Sequence, residues 1–305
     1  MNERFVIGDD VARALATGRP VVALETTVVT HGLPHPEGVN AALALEAEVT
    51  RAGAVPVTIG VFGGAVRVGI TRAELEALAA TPGVAKLNLS NFAAVIAAGA
   101  AGSTTVAATM FAAHHAGIGV FATGGIGGVH RDAQVSGDIS ADLTALSRIP
   151  VAVVCAGAKA ILDLPRTIEM LETLGVPVFG FGTAEFPAFY RRESGLPVDH
   201  RFDTIESLAA AVRTQFTLGM GTGVLIANPI PEAEAMPLKI YEHALAEALN
   251  AAAAEGVRGR AVTPFLLARM NAITGGESVR VNLAQLRNNA RVAAQLAAAL
   301  RSQGD

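Results

Sequence analysis

The residue best suited to covalent chemistry is Lys159, which ends the apolar segment Val-Ala-Val-Val-Cys-Ala-Gly-Ala-Lys. In α/β proteins, ligands bind beyond the carboxyl ends of the strands, and this segment is typical of a buried strand followed by small residues. A partly desolvated lysine close to a helix, here predicted from residue 161, can lose its proton near neutral pH and act as a Schiff-base nucleophile. The alternative is a lysine that ends the strand and points to solvent. Cys155, inside the strand, is interpreted as an inert core thiol.

A glycine run, Gly-Gly-Ile-Gly-Gly at 124–128, follows another predicted strand within the segment 119–131. Glycines let backbone N–H groups approach an anion closely, and His130 at the end of the run could contact an anionic group. The run is not a Walker A motif, because no Gly-Lys-Ser/Thr follows it, and no helix begins where a dinucleotide fingerprint needs one. Tight packing explains these glycines equally well.

Two carboxylates, Asp138 and Asp142, lie four residues apart in the segment Gly-Asp-Ile-Ser-Ala-Asp-Leu. Hard divalent ions such as Mg²⁺ and Mn²⁺ take oxygen ligands, so this spacing is compatible with a metal site. The same segment is typical of a helix start, with Ser140 as the N-cap and Asp142 in the first turn. Both interpretations remain open at this point.

Glu25 is predicted to lie inside an apolar strand, 21–27, with no cation beside it in sequence. A carboxyl group in such surroundings can keep its proton and serve as a general acid. His31 and His35 follow it, but neighbouring prolines and the lack of a nearby carboxylate do not favour a metal pair.

Further polar residues precede or end predicted elements. Lys86 begins a strand ahead of a stretch, 87–130, that contains no Asp, Glu, Lys or Arg. Residues 103–105, Ser-Thr-Thr, are predicted to open a helix, where free N–H groups and hydroxyls can bind an anion or simply cap the helix. Asn282 and Asn289 are seven residues apart and share one face of the last predicted helix.

The elements that must position these residues alternate along the chain. Strands are predicted at 21–27, 55–62, 65–70, 85–89, 119–124, 151–156, 177–182 and 223–227, and helices at 36–52, 72–80, 103–116, 161–174, 205–218, 238–255, 264–274 and 278–302. Near-continuous apolar strands alternating with helices predict a three-layer α/β/α fold with a mixed, largely parallel central sheet. Gly63-Gly64 predicts a hairpin between the second and third strands. We expect one α/β catalytic domain over residues 1–305, with 186–203 as a surface loop or lid.

The composition excludes several classes of protein. Of the 305 residues, 51% are hydrophobic and 16% are charged, which is enough apolar material for a large core and a subunit interface. The net charge of −4 argues against a nucleic-acid partner. The glycines, hydroxyls and histidines in 87–130 interrupt any clean membrane span. One cysteine, with no apolar signal core at the N-terminus, predicts a cytoplasmic protein.

Taken together, these segments resemble the pseudouridine-5′-phosphate glycosidase family, which includes indigoidine synthase A-like proteins. The resemblance extends from about residue 21 to residue 290 and rests on ALETTVVTHGLP, GSTTVAATM, VFATGGIGGVHR, DISADL, VVCAGAK, ANPIPEAEAMP, TPFLLARM and NNA. The resemblance implies reversible cleavage of pseudouridine 5′-phosphate to uracil and ribose 5-phosphate. It also implies a divalent metal, usually Mn²⁺, and a homotrimer.

The resemblance also implies roles for individual residues. Glu25 resembles the family's general acid and Lys159 its nucleophile, while Asp138 resembles the metal ligand. The positions that resemble substrate-binding residues are Lys86, Val106, His130, Ser140, Ala141, Asp142 and Asn282.

Two other functions remain compatible with the same residues. A Schiff-base aldolase or lyase acting on another sugar phosphate would share Lys159 but would need no uracil pocket. A non-catalytic sugar-phosphate sensor would bind the ligand without forming an imine.

Overall fold

The computed structural model describes residues 3–33, 36–257 and 262–302, so His35 lies outside the described residues. The strands are β1 (Phe5–Ile7), β2 (Val21–Leu24), β3 (Val55–Phe62), β4 (Ala65–Val68), β5 (Ala85–Leu87), β6 (Gly102–Thr104), β7 (Val120–Ala122), β8 (Ala152–Cys155), β9 (Val178–Phe181), β10 (His200–Phe202) and β11 (Val224–Ala227). The helices are α1 (Asp9–Ala16), α2 (Glu37–Arg51), α3 (Arg72–Ala80), α4 (Phe92–Ala97), α5 (Val106–His115), α6 (Ala133–Ser136), α7 (Ala141–Leu146), α8 (Leu164–Thr173), α9 (Ile205–Thr217), α10 (Leu238–Ala254), α11 (Val262–Ile273) and α12 (Glu277–Arg301). A π-helical turn, Val28–Gly32, follows β2, and a 3₁₀ turn occupies Glu232–Glu234.

The central sheet is mixed and mostly parallel, as the sequence predicts. Its strand order is β1-β4-β3-β2-β7-β8-β11-β9-β10, and β6 pairs with both β3 and β5 beside this path. Among the strands of the described residues, the β3–β4 and β3–β6 pairs are antiparallel and the other pairs are parallel. The first of these is the hairpin predicted from the glycine pair. Parallel pairing of β2, β7 and β8 brings their carboxyl ends to one edge of the sheet.

Helices cover both faces of this sheet, which confirms the three-layer architecture. Val22 and Leu24 of β2 face a core that is formed with α2, α9 and α12. Ala23, between them, faces the opposite core, to which α1, α5 and α10 contribute. Successive side chains of a strand point to opposite faces, so a strand buried on both faces must be apolar at every position.

Three predicted element boundaries are wrong, and each change affects the site. Strand β2 ends at Leu24, so Glu25 follows the strand and does not lie inside it. Ser103 belongs to β6, because it pairs with Gly60 of β3, and helix α5 begins only after Thr105. Helix α8 begins at Leu164, since the Asp163 side chain accepts the Arg166 N–H at 3.1 Å and caps it there.

The segment 186–203 is also not a simple surface loop. Its first part is buried, with Phe189 only 3% exposed and Tyr190 2% exposed. Its last part contains β10, which pairs with β9 in parallel. Within the described ranges, none of the helices is both long and apolar enough to cross a membrane.

Candidate active site

A cavity of about 290 Å³ opens at the carboxyl ends of β2, β7 and β8. All ten residues that the sequence singled out as catalytic, substrate-binding or metal-binding line this cavity. They are Glu25, Lys86, Val106, His130, Asp138, Ser140, Ala141, Asp142, Lys159 and Asn282. The fold therefore brings together residues that are far apart in the sequence, from Glu25 to Asn282.

Glu25 is half-buried and held by two threonine hydroxyls. Thr27 Oγ1 lies 2.7 Å from Oε2 of Glu25, and Thr123 Oγ1 donates to Oε1. Thr123 follows β7, the strand next to β2, which places its hydroxyl at the same sheet edge. The carboxyl group is thus fixed at both oxygens and borders the cavity.

Lys159 lies on the loop between β8 and α8. The Lys159 N–H donates to the Ile126 carbonyl at 3.0 Å, and a β-bridge joins Ile126 to Ala158. These contacts anchor the lysine backbone to the glycine loop. Within the described residues Lys159 makes no salt bridge. It lies five residues before α8, farther from the helix start than the sequence suggested.

The glycines of the 124–128 run allow close packing. A Cβ atom at Gly125 would lie 2.6 Å from the Phe189 ring, and one at Gly127 would lie 2.2 Å from Ser140 Oγ. A Cβ atom at Gly128 would lie 2.4 Å from Thr167 Oγ1. Larger residues do not fit at these positions, so the packing interpretation of the run is confirmed.

Asp142 is 6% exposed and connects two segments that border the cavity. Its Oδ1 accepts the Ala107 N–H at 3.0 Å, in the first turn of α5, and its Oδ2 accepts the Gly127 N–H at 2.8 Å. Ser140 caps α7 by accepting the Asp142 N–H, which confirms the helix-start interpretation. Asp142 therefore has a structural function whether or not it also contacts a ligand.

Asp138 is the carboxylate best placed to hold a metal ion. It lines the cavity, and its Oδ2 lies 3.9 Å from Nε2 of His130. The described residues contain no group of three or more His, Cys, Asp or Glu side chains that could bind a metal together. One carboxylate supplemented by water is nevertheless a common way to bind a hard, strongly hydrated ion, so Asp138 fits such an ion and does not fit zinc.

The cavity has a cationic end that the sequence predicted only in part. Lys86 lines it as expected, and beside it stands His31, whose Nδ1 lies 2.6 Å from Thr30 Oγ1. Burial, and then the charge of Lys86, lower the pKa of His31. Ser103 does not line the cavity; its hydroxyl accepts from Thr30 and lies 3.3 Å from Nδ1 of His31. The predicted anion site at 103–105 is therefore reduced to Thr105, the N-cap of α5. Two cationic or polar donors at one end suit a phosphate group.

The other wall comes from α12 and from the segment after β9. Asn282 borders the cavity, and its Oδ1 accepts from Nε2 of Gln285 at 2.9 Å. Asn289 is buried and does not reach the cavity; it donates to the Thr123 carbonyl at 2.8 Å and accepts from Asn228. Asn289 therefore holds the backbone that carries the Thr123 hydroxyl.

An apolar surface completes the cavity. It consists of Phe189, Leu267 and Leu286. Phe189 has a φ of 61° and is the one non-glycine residue with positive φ in the described part of the chain. A backbone held in this sparsely populated region indicates a constraint imposed by its surroundings, here the close fit of the ring against Gly125. A flat apolar wall of this kind suits a planar ring.

Fold and site together define an α/β enzyme with a lysine and a carboxylic acid at the carboxyl edge of a parallel sheet. The chain belongs to the Indigoidine synthase A like protein family, whose model matches residues 10–299.

Several relatives are similar over nearly their whole length. A pseudouridine-5′-phosphate glycosidase of Methylobacterium nodulans is 55% identical over 292 residues, which cover 96% of this chain and 87% of that protein. The corresponding protein of Sorangium cellulosum is 52% identical, with 100% and 96% covered.

Two solved structures share the fold. The prealnumycin C-glycosynthase AlnA, in complex with ribulose 5-phosphate, has a TM-score of 0.91 and 40% identity, covering 99% of this chain and 98% of its own. An indigoidine synthase A-like protein of Thermotoga maritima has a TM-score of 0.87 and 34% identity, with 97% and 96% covered.

Proposed function

We propose that this protein is a pseudouridine-5′-phosphate glycosidase, which reversibly cleaves the C–C glycosidic bond to give uracil and ribose 5-phosphate. The observation that carries the proposal is the presence of Glu25 and Lys159 on one cavity, with Lys86 and His31 at its cationic end. Relatives of that name at about half identity support it, as does a C-glycosynthase neighbour that binds a sugar phosphate.

The bond to be broken explains the need for a lysine. Ordinary glycosidases use two carboxylates and expel an oxygen or nitrogen atom. Here the leaving atom is C5 of uracil, a carbon, which departs far less readily. An amine bonded to C1′ can push out this carbon with its lone pair, which a carboxylate cannot do.

In the first step, Lys159 Nζ bonds to C1′ while the bond from C1′ to the ring oxygen breaks. Glu25 gives its proton to that oxygen, so the sugar opens and Glu25 becomes a carboxylate. The adduct nitrogen then loses one proton, for which Glu25 is the nearby acceptor. Both residues line the same cavity, as this exchange requires.

In the second step, the nitrogen lone pair forms a C=N bond as the bond between C1′ and C5 breaks. C5 has received a proton from Glu25 beforehand, with N1 sharing the positive charge, so the electron pair of the breaking bond restores the C5–C6 double bond of uracil. Water adds to the iminium carbon, and its proton returns to Glu25. Collapse of this adduct frees the amine of Lys159 and ribose 5-phosphate, so the starting protonation states are restored.

The remaining predicted residues bind and orient the substrate in this proposal. Lys86, His31, His130 and the Thr105 hydroxyl hold the phosphate in this proposal, while Asn282 and the Phe189 surface face the uracil ring. Val106, Ser140, Ala141 and Asp142 shape the sugar site between them. A divalent ion such as Mn²⁺, held by Asp138 and water, would neutralise negative charge and order the substrate.

We also propose that the described fold acts as one catalytic domain in a cytoplasmic homotrimer. The large apolar fraction of the chain supports a subunit interface, and the single buried cysteine supports a reducing compartment. Sedimentation equilibrium of the purified protein measures the oligomeric state directly.

The test of the proposed function is a cleavage assay with pseudouridine 5′-phosphate and Mn²⁺. We expect release of uracil, and synthesis of pseudouridine 5′-phosphate when uracil and ribose 5-phosphate are supplied. Cleavage of another sugar phosphate without uracil dependence would establish an aldolase or lyase instead. Binding of ribose 5-phosphate with no turnover in either direction would establish a sensor.

A further inference from the structure

The Thr27 hydroxyl lies within hydrogen-bond distance of two acceptors. Glu25 Oε2 is 2.7 Å away, and the backbone carbonyl of Thr104 is a second, close partner. Thr27 is 8% exposed, so water does not readily replace either contact. The Thr104 carbonyl can only accept a hydrogen bond, whereas a carboxyl oxygen accepts when ionised and donates when protonated.

A hydroxyl group has one proton and can donate it to one of these partners at a time. If Thr27 donates to Glu25, the carboxyl group is ionised and accepts. If Thr27 donates to the Thr104 carbonyl, its hydroxyl oxygen can still accept a hydrogen bond from Glu25, provided that Oε2 of Glu25 carries a proton. Each arrangement corresponds to one protonation state of Glu25, and rotation about the Cβ–Oγ1 bond of Thr27 turns the hydroxyl proton from one acceptor to the other.

The surroundings fix this geometry. The neighbouring residue, Thr26, donates to the Ile59 carbonyl at 2.8 Å, and its hydroxyl oxygen accepts the Thr104 N–H at 2.9 Å. Thr123 holds the other oxygen of Glu25. The other ionisable side chains that line the cavity are His31, Lys86, His130, Asp138, Asp142 and Lys159.

We propose that Thr27 is a positioning residue that serves Glu25 in both of its protonation states. This inference rests on the proposed function, in which Glu25 loses and regains a proton during each turnover. When Glu25 gives its proton to the substrate, the Thr27 O–H turns from the Thr104 carbonyl to the new carboxylate. When Glu25 is protonated again, the hydroxyl turns back to the Thr104 carbonyl, so Oε2 of Glu25 has a hydrogen-bond partner in both of its protonation states.

Two substitutions separate a donor-acceptor role of the Thr27 side chain from a packing role. Thr27→Val keeps the shape of the side chain but can neither donate nor accept, whereas Thr27→Ser keeps the hydroxyl and removes a methyl group. We expect kcat of Thr27→Val to fall on the order of 10²-fold, the lower end of what general-acid catalysis contributes, with KM nearly unchanged. Thr27→Ser should keep most of the wild-type kcat.

Thr109→Val is the matched control, because Thr109 is a fully buried threonine of α5 whose hydroxyl has no partner in the described structure. It should keep wild-type activity and should not lose stability. Thermal unfolding of all variants identifies any that fold poorly, and Thr27→Ala replaces the valine variant if it does.

Two results overturn the inference. One is a Thr27→Val or Thr27→Ala enzyme with wild-type kcat. The other is a Thr27→Ser enzyme that falls as far as the valine variant while remaining folded, which would assign Thr27 to packing alone. A wild-type protein that does not cleave pseudouridine 5′-phosphate would refute the proposed function instead, and the two failures are thus distinguishable.

Discussion

Glu25 and Lys159 follow strands that are separated in the sheet by β7 alone. Each residue comes directly after, or within a few positions of, the carboxyl end of its strand. The strand between them provides Thr123, which fixes the acid. Both residues line the same cavity, so in the proposed mechanism Glu25 can protonate the ring oxygen of a ribose whose C1′ is attacked by Lys159.

The role of Glu25 is tested by Glu25→Gln, which keeps shape and hydrogen bonding but cannot donate the same proton. We expect kcat to fall by about 10²–10⁴-fold, with a much smaller change in KM, because general-acid catalysis stabilises the transition state and not the bound substrate. Steady-state kinetics with pseudouridine 5′-phosphate provide both constants. A raised KM with saturated turnover close to wild type would assign Glu25 to substrate binding only.

Asp138 carries the prediction about the metal. Exhaustive chelation should abolish turnover, and added Mn²⁺ should restore it, because a single carboxylate with water releases its ion readily to a chelator. Asp138→Ala should not recover at ordinary metal levels. Asp199→Ala, away from the cavity, is the control. Full activity after chelation, confirmed by metal analysis, would contradict the assignment.

The sequence predicted the residues that we propose to react, and the fold brings them to one cavity, but it did not predict the residues that contact them. Glu25 and Lys159 lie in distinctive motifs. Thr27 and Thr123 are recognisable only from contacts across the fold, since Thr123 is 98 residues from Glu25 along the chain. The local signal that could have indicated Thr27 is its position two residues after Glu25 in the sequence.

At the scale of elements, Asp142 holds the start of α5 and the glycine loop together. Asp142→Asn keeps the volume of the side chain, but one of the two carboxylate oxygens becomes an NH₂ group. This group cannot accept a hydrogen bond, so one of the two backbone N–H donors loses its acceptor. We expect the free energy of unfolding in urea to fall by roughly 1–3 kcal/mol, the cost of an unsatisfied buried polar group. Activity should fall as well, because Gly127 borders the cavity.

The control for this experiment is Asp203→Asn, which removes an exposed carboxylate paired with Arg201. Exposed ion pairs contribute little to stability, so this variant should unfold close to wild type. Equal losses in the two variants would show that the two hydrogen bonds of Asp142 do not stabilise the loop.

The principal strands and helices could be predicted because their apolar periodicity is strong. The strands that were missed, β1, β6 and β10, are only three residues long and are recognisable mainly from their partners. Ser103 and Thr104 resemble helix-capping residues, yet pairing with β3 and β5 draws them into the sheet. Tertiary pairing overrides local preference in such short segments.

At the scale of the whole molecule, the sheet is buried between two helical layers, and Cys155 lies within it with no exposed surface. Burial raises the pKa of its thiol to about 12. Because the thiolate is the reactive form, we expect no reaction with a thiol reagent at pH 8 in the native protein and complete reaction in urea. Rapid labelling of the native protein would contradict the buried position of β8.

The most direct test of the account is to trap the bond between Lys159 and the sugar. The protein is incubated with ribose 5-phosphate, reduced with borohydride and examined by intact mass and peptide mapping. We predict one sugar-phosphate adduct per chain, located on Lys159, and its absence in Lys159→Ala, which should be folded but inactive. Lys159→Arg should also be inactive, because a guanidinium stays protonated. No adduct with an otherwise active enzyme, or near-native turnover by Lys159→Ala, would contradict the covalent mechanism.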